Sequence, residues 1–489
     1  MTAQTVIKKP TDPRNPYVGP RAFGPGERLP NRESEAREVA DLVVSERVML
    51  LHSPSGAGKT SLIQAAVLPM LKEDGFHPIG PVRVDKPAPD GVRNRYVYSI
   101  ALYLLDRPGQ DVRELQRLTL REVLVRAFPA LADPAYDGPS PVLVIDQLEE
   151  VLVLDPTDWP AQELFFKDLG STLRRDRLWA LLAMREDYMG GLYRYVCLVP
   201  GHLRTKYRLD FLTPQEALAA ARKPAASQGV DFTEQAARLL IDKIAHANVE
   251  TPGKGVERRR TPYVEPFQLQ VVCRRLWKEV RHKRGDHFPR IDESDVETVD
   301  VDKALSKYYA ESVSDVEQRF NVPQRVLREW FEAELITKQQ FRRPTMMPPV
   351  PGEQGAEVLR RLRESYLIRE DTRGGATWYE LTHDRLIAAV LDSNHAWRHS
   401  NLASWQRAAY EWQRNNRQRD YLLTSDELRL TPSPGTRQLQ DYEQEFLRES
   451  EEAARRDGRT AWAMNLVSVF GAIAALELVV IVILLFVAF

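Results

Sequence analysis

Ser53-Pro54-Ser55-Gly56-Ala57-Gly58-Lys59-Thr60 stands between the apolar run Val48 to His52 and the helix-forming stretch Ser61 to Leu71. Small residues at the exit of a strand let backbone N–H groups wrap a phosphate, and the N-terminal end of the next helix stabilises its negative charge. The stretch Ser55, Gly56, Ala57, Gly58, Lys59, Thr60, Ser61 is therefore the expected phosphate cradle. Lys59 would reach the β- and γ-phosphates and Thr60 would ligand Mg²⁺. The first glycine of the usual GxxxxGK[ST] pattern is replaced by Ser53.

Downstream, Pro141-Val142-Leu143-Val144-Ile145-Asp146-Gln147-Leu148-Glu149-Glu150 reads as a buried strand ending in acids. Asp146 would lie beside the phosphate loop and hold Mg²⁺ through water, and Glu149 or Glu150 would orient or activate the attacking water. The sequence does not choose between the two glutamates. Arg185 ends a third apolar run, Leu178 to Met184, where a guanidinium would sense a γ-phosphate or serve as a surface ion-pair partner. Apolar strands alternating with helical stretches predict a parallel α/β sheet covered on both faces.

Outward from this core, residues 1–30 read as an extended Pro-, Gly- and Arg-rich arm without a fold of its own, and residues 31–210 as the α/β phosphate-loop domain, opening on a helix from about Arg32 to Ser45. Thr213-Pro214-Gln215-Glu216 has the form of a capping box with proline in the first turn, so a helical domain is expected over 211–300. Arg258, Arg259 and Arg260 are expected in a solvated loop, Thr251 to Thr261. Over 301–399, three helices precede two strand-like runs, Leu367 to Glu370 and Thr377 to Leu381, around Gly374-Gly375, and a further helix follows; this order predicts a winged helix. Residues 400–460 read as a charged helical linker, broken at Thr431 to Gly435.

Met464 to Ala488 is interrupted only by Asn465, Ser468 and Glu477. At 1.5 Å per residue such a helix reaches roughly 37 Å, enough to cross a ~30 Å hydrocarbon core with some tilt. Glu477 costs about 3 kcal/mol at the centre, whereas each Leu, Ile, Val or Phe contributes about 0.3 to 0.6 kcal/mol in favour of insertion. The stretch holds sixteen of these apolar residues. Insertion wins. With Arg455, Arg456 and Arg459 just before the span and nothing after Phe489, a tail anchor in the cell (inner) membrane with the N-terminal bulk in the cytoplasm is expected.

The 489 residues exceed a single core, so about three folded modules are expected. Basic and acidic residues number 68 and 69, which removes the electrostatic argument for nucleic acid as the main partner. The N-terminus lacks a signal peptide, and Cys197 and Cys273 match neither a disulfide framework nor a zinc pattern.

Taken together these motifs resemble the STAND class of signal-transduction ATPases, related to AAA+ and NACHT proteins, and within it the bacterial branch usually found upstream of WD repeats. The likeness covers Asn15 to Phe23, Asn31-Arg32-Glu33, the phosphate loop, Asp146 to Glu150, Leu182 to Arg185, Ala221 to Ala225 and Leu381-Thr382-His383-Asp384. It implies a switch that binds ATP or ADP with Mg²⁺, hydrolyses ATP slowly, is closed and monomeric with ADP and self-associates with ATP. It further implies that Pro266 packs on the nucleotide base and that His383 contacts the β-phosphate of ADP, although Pro266 also suits a simple helix start. The expected partners are further copies of the chain, the bilayer through 464–488, and a sensor protein in trans, because no WD-repeat region follows. Stress or antiphage signalling is the expected setting, with the membrane helix as anchor or effector. Two alternatives remain: a tethered winged-helix regulator that binds DNA through Arg360, Arg361 and Arg363, and a scaffold that binds nucleotide without turnover.

Overall fold

A computed structural model of the chain describes residues 15–106, 112–251, 255–285, 288–373, 376–383, 385–429, 431 and 440–456. The chain divides into two units, Met1–Leu391 and Asp392–Phe489.

The first unit begins with α1 (Glu33–Glu46), whose Ala36, Val39, Ala40 and Val43 recur at helical spacing and are all buried. β1 (Val48–Ser53) leads through the phosphate loop into α2, which runs from Lys59–Leu62 through a π-turn, Ile63–Val67, to Leu68–Glu73. There follow β2 (Phe76–Val82), α3 (Arg95–Leu105), α4 (Leu120–Ala127), β3 (Ser140–Ile145), α5 (Trp159–Arg175), β4 (Trp179–Arg185) and β5 (Lys206–Arg208). The five strands form one parallel sheet in the order β2-β3-β4-β1-β5. β1, β3 and β4, the three strands legible as apolar runs, fill its centre, where burial on both faces selects Val, Ile and Leu. The two edge strands lack that signature. β2 carries Pro78 and Pro81, which an edge tolerates, and β5 is a short Lys-Tyr-Arg.

The next elements are α6 (Pro214–Ser227), α7 (Glu234–Ile244), β6 (His246–Thr251), β7 (Gly255–Arg260) and α8 (Pro266–Arg284). The Thr213–Glu216 capping box forms as the sequence implies. The expected loop Thr251 to Thr261 does not: β6 and β7 pair antiparallel, placing Arg258, Arg259 and Arg260 on a strand. His246 to Thr251 and Gly255 to Arg260 carry too few apolar residues for strands to be read from alternation.

α9 (Val301–Phe320), α10 (Gln324–Glu334) and α11 (Gly352–Glu364) precede the antiparallel pair β8 (Ile368–Arg373) and β9 (Ala376–Leu381), then α12 (Arg385–Asn401). This is the predicted order of three helices, hairpin and helix. Residues 211–300 and the following module share one continuous core, in which Phe267, Leu276, Leu305, Tyr309, Leu362 and Leu381 take part. The arm joins the same core. Tyr17 is buried, its hydroxyl donates to the Ala221 carbonyl at 2.6 Å, and Arg274 Nη1 donates to the Tyr17 and Val18 carbonyls, both at 3.1 Å. Tyr17 thus anchors to the helical core an arm whose described backbone, residues 15–32, forms neither helix nor strand.

In the second unit α13 (Ser404–Arg414), a short turn and helix Ser425–Arg429, and a helix over 441–456 enclose Trp405, Trp412, Leu423, Phe446 and Leu447. Trp412 and Phe446 are fully buried with ring centroids 5.5 Å apart. The segment expected to be a charged linker therefore has its own core, built from few but large side chains that the surrounding charges mask in sequence. Gly374-Gly375, Asp384, Pro432 to Gly435 and the whole of 464–488 lie outside the described residues. Among the described residues no helix is long and apolar enough to cross a membrane.

Candidate functional site

The phosphate loop turns by way of Gly56 (φ +81°) and Gly58 (φ +99°), a left-handed region that a Cβ disfavours. Gly58 caps α2, so Lys59 and Thr60 open the helix. Lys59 Nζ donates to Ser53 Oγ at 2.7 Å, and Ser53 Oγ donates to the Pro54 carbonyl at 2.8 Å. The residue that departs from the glycine of the usual pattern thus holds the lysine.

Because β4 lies between β1 and β3, the ends of all three strands converge on this loop. Asp146, 2 % exposed, accepts from Thr60 Oγ1 at 2.7 Å. Glu149 accepts from the Arg185 backbone N–H at 3.2 Å. Burial pushes the Lys59 ammonium down, with the charges of Glu149 and Asp146 opposing it. Burial likewise raises the Glu149 carboxyl, with Lys59 as the chief opposing charge. Glu150 is buried on the side of Arg83 and Asp85. Burial, with Asp85 adding to it, pushes its carboxyl well above the ordinary carboxylate range. Glu149 lines the cleft with Lys59, whereas Glu150 lines an adjoining cavity that shares Ser55, Thr60, Gln147, Glu149 and Arg185 with it.

The cleft has a volume of about 140 Å³ and is lined on one side by Ser55, Gly56, Gly58, Lys59, Thr60 and Ser61. Ala57 of the same loop is buried beneath it. Opposite stand Arg185, Pro266, Phe267, Gln270 and Tyr366, and residues Gly19 to Phe23 of the arm close the remaining wall. Phe23 N–H donates to Ser61 Oγ at 3.1 Å. Pro266 is the first residue of α8 and faces this cleft, so both readings of it are compatible with its position.

His383 comes to the loop from the other end of the first unit. A Cβ on Gly56 would lie 3.8 Å from both Cε1 and Nε2 of the imidazole. His383 Nδ1 is 2.7 Å from Glu265 Oε2, and the ring stacks on Phe267 at 5.7 Å. Nε2 is buried and has no hydrogen-bond partner among the described residues. Sequence spacing could not have placed residues 56, 265 and 383 together; the core shared by α8, α9 and β9 brings residues 265 and 383 near one another, and His383 then lies against Gly56.

Arg185 is held by more than a surface ion pair. Nη1 donates to the Glu370 main-chain carbonyl at 2.8 Å, Nη2 bonds Asp187, and the guanidinium lies 5.1 Å from the Tyr188 ring centroid. Glu370 in turn receives Arg363 Nη1 on its side chain at 2.8 Å. Arg361 bonds Asp315 at 2.8 and 2.9 Å and Arg360 is 3.5 Å from Glu364. Gln147, Arg83, Gln270 and Tyr366 carried no signal in the sequence; Ser53 was visible as a departure within the motif, but not as the partner of Lys59.

A glycine-turned loop at the end of a central parallel strand, a lysine and a threonine opening its helix, and a buried aspartate on the adjoining strand end define a P-loop NTPase. The family model described as Novel STAND NTPase 1 matches residues 16–420, and the chain belongs to that family. No curated protein matches the chain. Among solved structures, the Aeropyrum pernix ORC1 protein in complex with DNA shares 16 % identity, covering 76 % of this chain and 93 % of its own, with a TM-score of 0.42. The Walker-type ATPase of Pyrococcus abyssi shares 15 % identity over 76 % and 98 % of the two chains, with a TM-score of 0.39. The Aeropyrum pernix ORC2 protein in its ADPNP-ADP complexes shares 15 % over 76 % and 96 %, with a TM-score of 0.36. At these scores the likenesses add nothing to what the fold and the family already say.

Proposed function

We propose that this STAND-type NTPase is a membrane-tethered switch set by ATP and ADP. The observation that carries the reading is His383, buried over the phosphate loop with Nε2 free of partners among the described residues. An unpaired buried nitrogen is costly unless something meets it. A phosphate in the loop would do so, and an imidazolium donates from both nitrogens, to Glu265 and to the β-phosphate of ADP together.

In this reading Lys59 and the loop from Ser55 to Ser61 hold the phosphates, and Pro266 packs on the base. Thr60 and Asp146 hold Mg²⁺; two hard oxygens 2.7 Å apart suit that ion. Bound Mg²⁺ would neutralise charge between the β- and γ-phosphates. Glu149 activates water, Arg185 senses the γ-phosphate, and hydrolysis is slow. The module over 301–399 acts as a winged helix that ADP holds closed through His383. ATP draws Arg185 away from Glu370 and frees the module for self-association. The stretch 464–488 anchors the chain in the inner membrane with its bulk in the cytoplasm, in stress or antiphage signalling.

The arginines on which DNA binding would rest are already engaged, Arg361 with Asp315 and Arg363 with Glu370, which weighs against that alternative. The test is detergent-purified protein assayed for bound nucleotide and for a change of size on adding ATP, beside Lys59→Ala. Bound ADP and an ATP-dependent larger species, both absent from Lys59→Ala, support the switch. Nucleotide bound without turnover or size change returns the chain to a scaffold.

A further inference from the structure

β2 lies next to β3, and the residue just beyond its end, Arg83, brings Nη2 to 3.8 Å from Asp146 Oδ2. Asp146 is the carboxylate that also accepts from Thr60. The residue after it, Gln147, has φ +59°, a left-handed conformation that is unfavourable for a side chain of its kind. With the Gln147 amide oriented so that both ends are paired, its oxygen accepts from Arg83 Nη2 at 3.1 Å and its nitrogen donates to Glu150 Oε1 at 2.7 Å. Strained backbone thus presents a side chain that fastens Arg83 beside Asp146. A second guanidinium contact of this kind is not required to cradle phosphate, which Lys59 and the loop already do.

We propose that Arg83 is a positioning residue of the nucleotide site: it is the counter-ion of Asp146 in the absence of metal and competes with the divalent cation for that carboxylate. The proposal rests on the nucleotide reading of the cleft. Two cations on one carboxylate repel each other, and in a largely buried site salt screens that repulsion little. Arg83 therefore supplies positive charge that Mg²⁺ would otherwise supply, and it loosens the metal. Nucleotide affinity should depend only weakly on Mg²⁺, and should come to depend on it strongly once the guanidinium is removed.

The experiment titrates a fluorescent ADP analogue into the full chain in detergent, in EDTA and in saturating Mg²⁺, for the wild type, Arg83→Gln and Arg83→Lys. The quantity read is the ratio of the two dissociation constants, with melting temperature recorded for each protein. The wild-type ratio should lie under about tenfold, rise by at least about tenfold in Arg83→Gln, and fall between them in Arg83→Lys, which keeps the charge without the fork. A folded Arg83→Gln with an unchanged ratio overturns the proposal. So does a wild-type ratio well above tenfold, which decides the matter even if Arg83→Gln fails to fold. Absence of analogue binding to the wild type in either condition overturns the nucleotide reading itself, a result distinct from an unchanged ratio.

Discussion

Arg185 Nη1 donates to the main-chain carbonyl of Glu370 at 2.8 Å, so the residue that ends the strand beside the phosphate loop also holds the hairpin β8–β9. One guanidinium cannot keep that bond and turn fully to a γ-phosphate. Hydrogen bonds to charged groups contribute about 1.5–3 kcal/mol, enough to bias a two-state element.

Arg185→Ala should therefore loosen the hairpin without nucleotide present. Amide exchange over residues 368–381 should speed about tenfold or more, as expected for loss of about 1.5 kcal/mol. ATP added to the variant should produce no further change there. Unaltered exchange in the variant would disconnect Arg185 from the module.

His383→Ala should weaken ADP by about tenfold to a hundredfold, the worth of one charge-assisted hydrogen bond, while Lys59 and the loop remain intact. Calorimetry with ADP reads this directly. Glu265→Gln removes the carboxylate 2.7 Å from Nδ1 and should weaken ADP less, because Nε2 stays in place. Equal ADP affinity in His383→Ala and the wild type would remove the histidine from the site.

The two glutamates should separate in a turnover assay. Glu149→Gln should lower hydrolysis by about a hundredfold or more, the scale of a lost general base, while retaining ATP. Glu150→Gln should keep most of the activity. Its effect is on stability. The folded Glu150 carboxyl is raised above its unfolded value, so the native state is favoured where the group is protonated in both states, and that advantage is lost as pH rises through the folded value. Glutamine has no such loss. The melting temperature of Glu150→Gln relative to wild type should accordingly increase from pH 5 to pH 8; a difference that does not change with pH would contradict the burial of a carboxylate there.

Trp412→Ala should unfold the second unit selectively. Removing a fully buried Trp from a small core costs about 3–5 kcal/mol, a large part of what such a core supplies. Limited proteolysis should then cut within residues 404–456 and leave the first unit resistant. Equal resistance in both units would restore the plain-linker reading of 400–460.

By itself the sequence determined whatever depends on neighbours along the chain. Ser53 to Thr60 needs only a strand before it and a helix after it, and the apolar runs of β1, β3 and β4 announce strands buried on both faces. The Thr213–Glu216 box is likewise local and formed as read. Tertiary structure decided what depends on partners far away. Prolines hide β2 because an edge strand need not look like one. The strands β6 and β7 are too polar in sequence to announce themselves, and the tryptophans of the second unit are diluted by charge. Glu149 and Glu150 are adjacent and chemically alike, so only the direction in which the backbone turns after Asp146 separates them. His383 and Gly56 meet although they stand more than three hundred residues apart in the chain, and no local pattern in either segment encodes that contact.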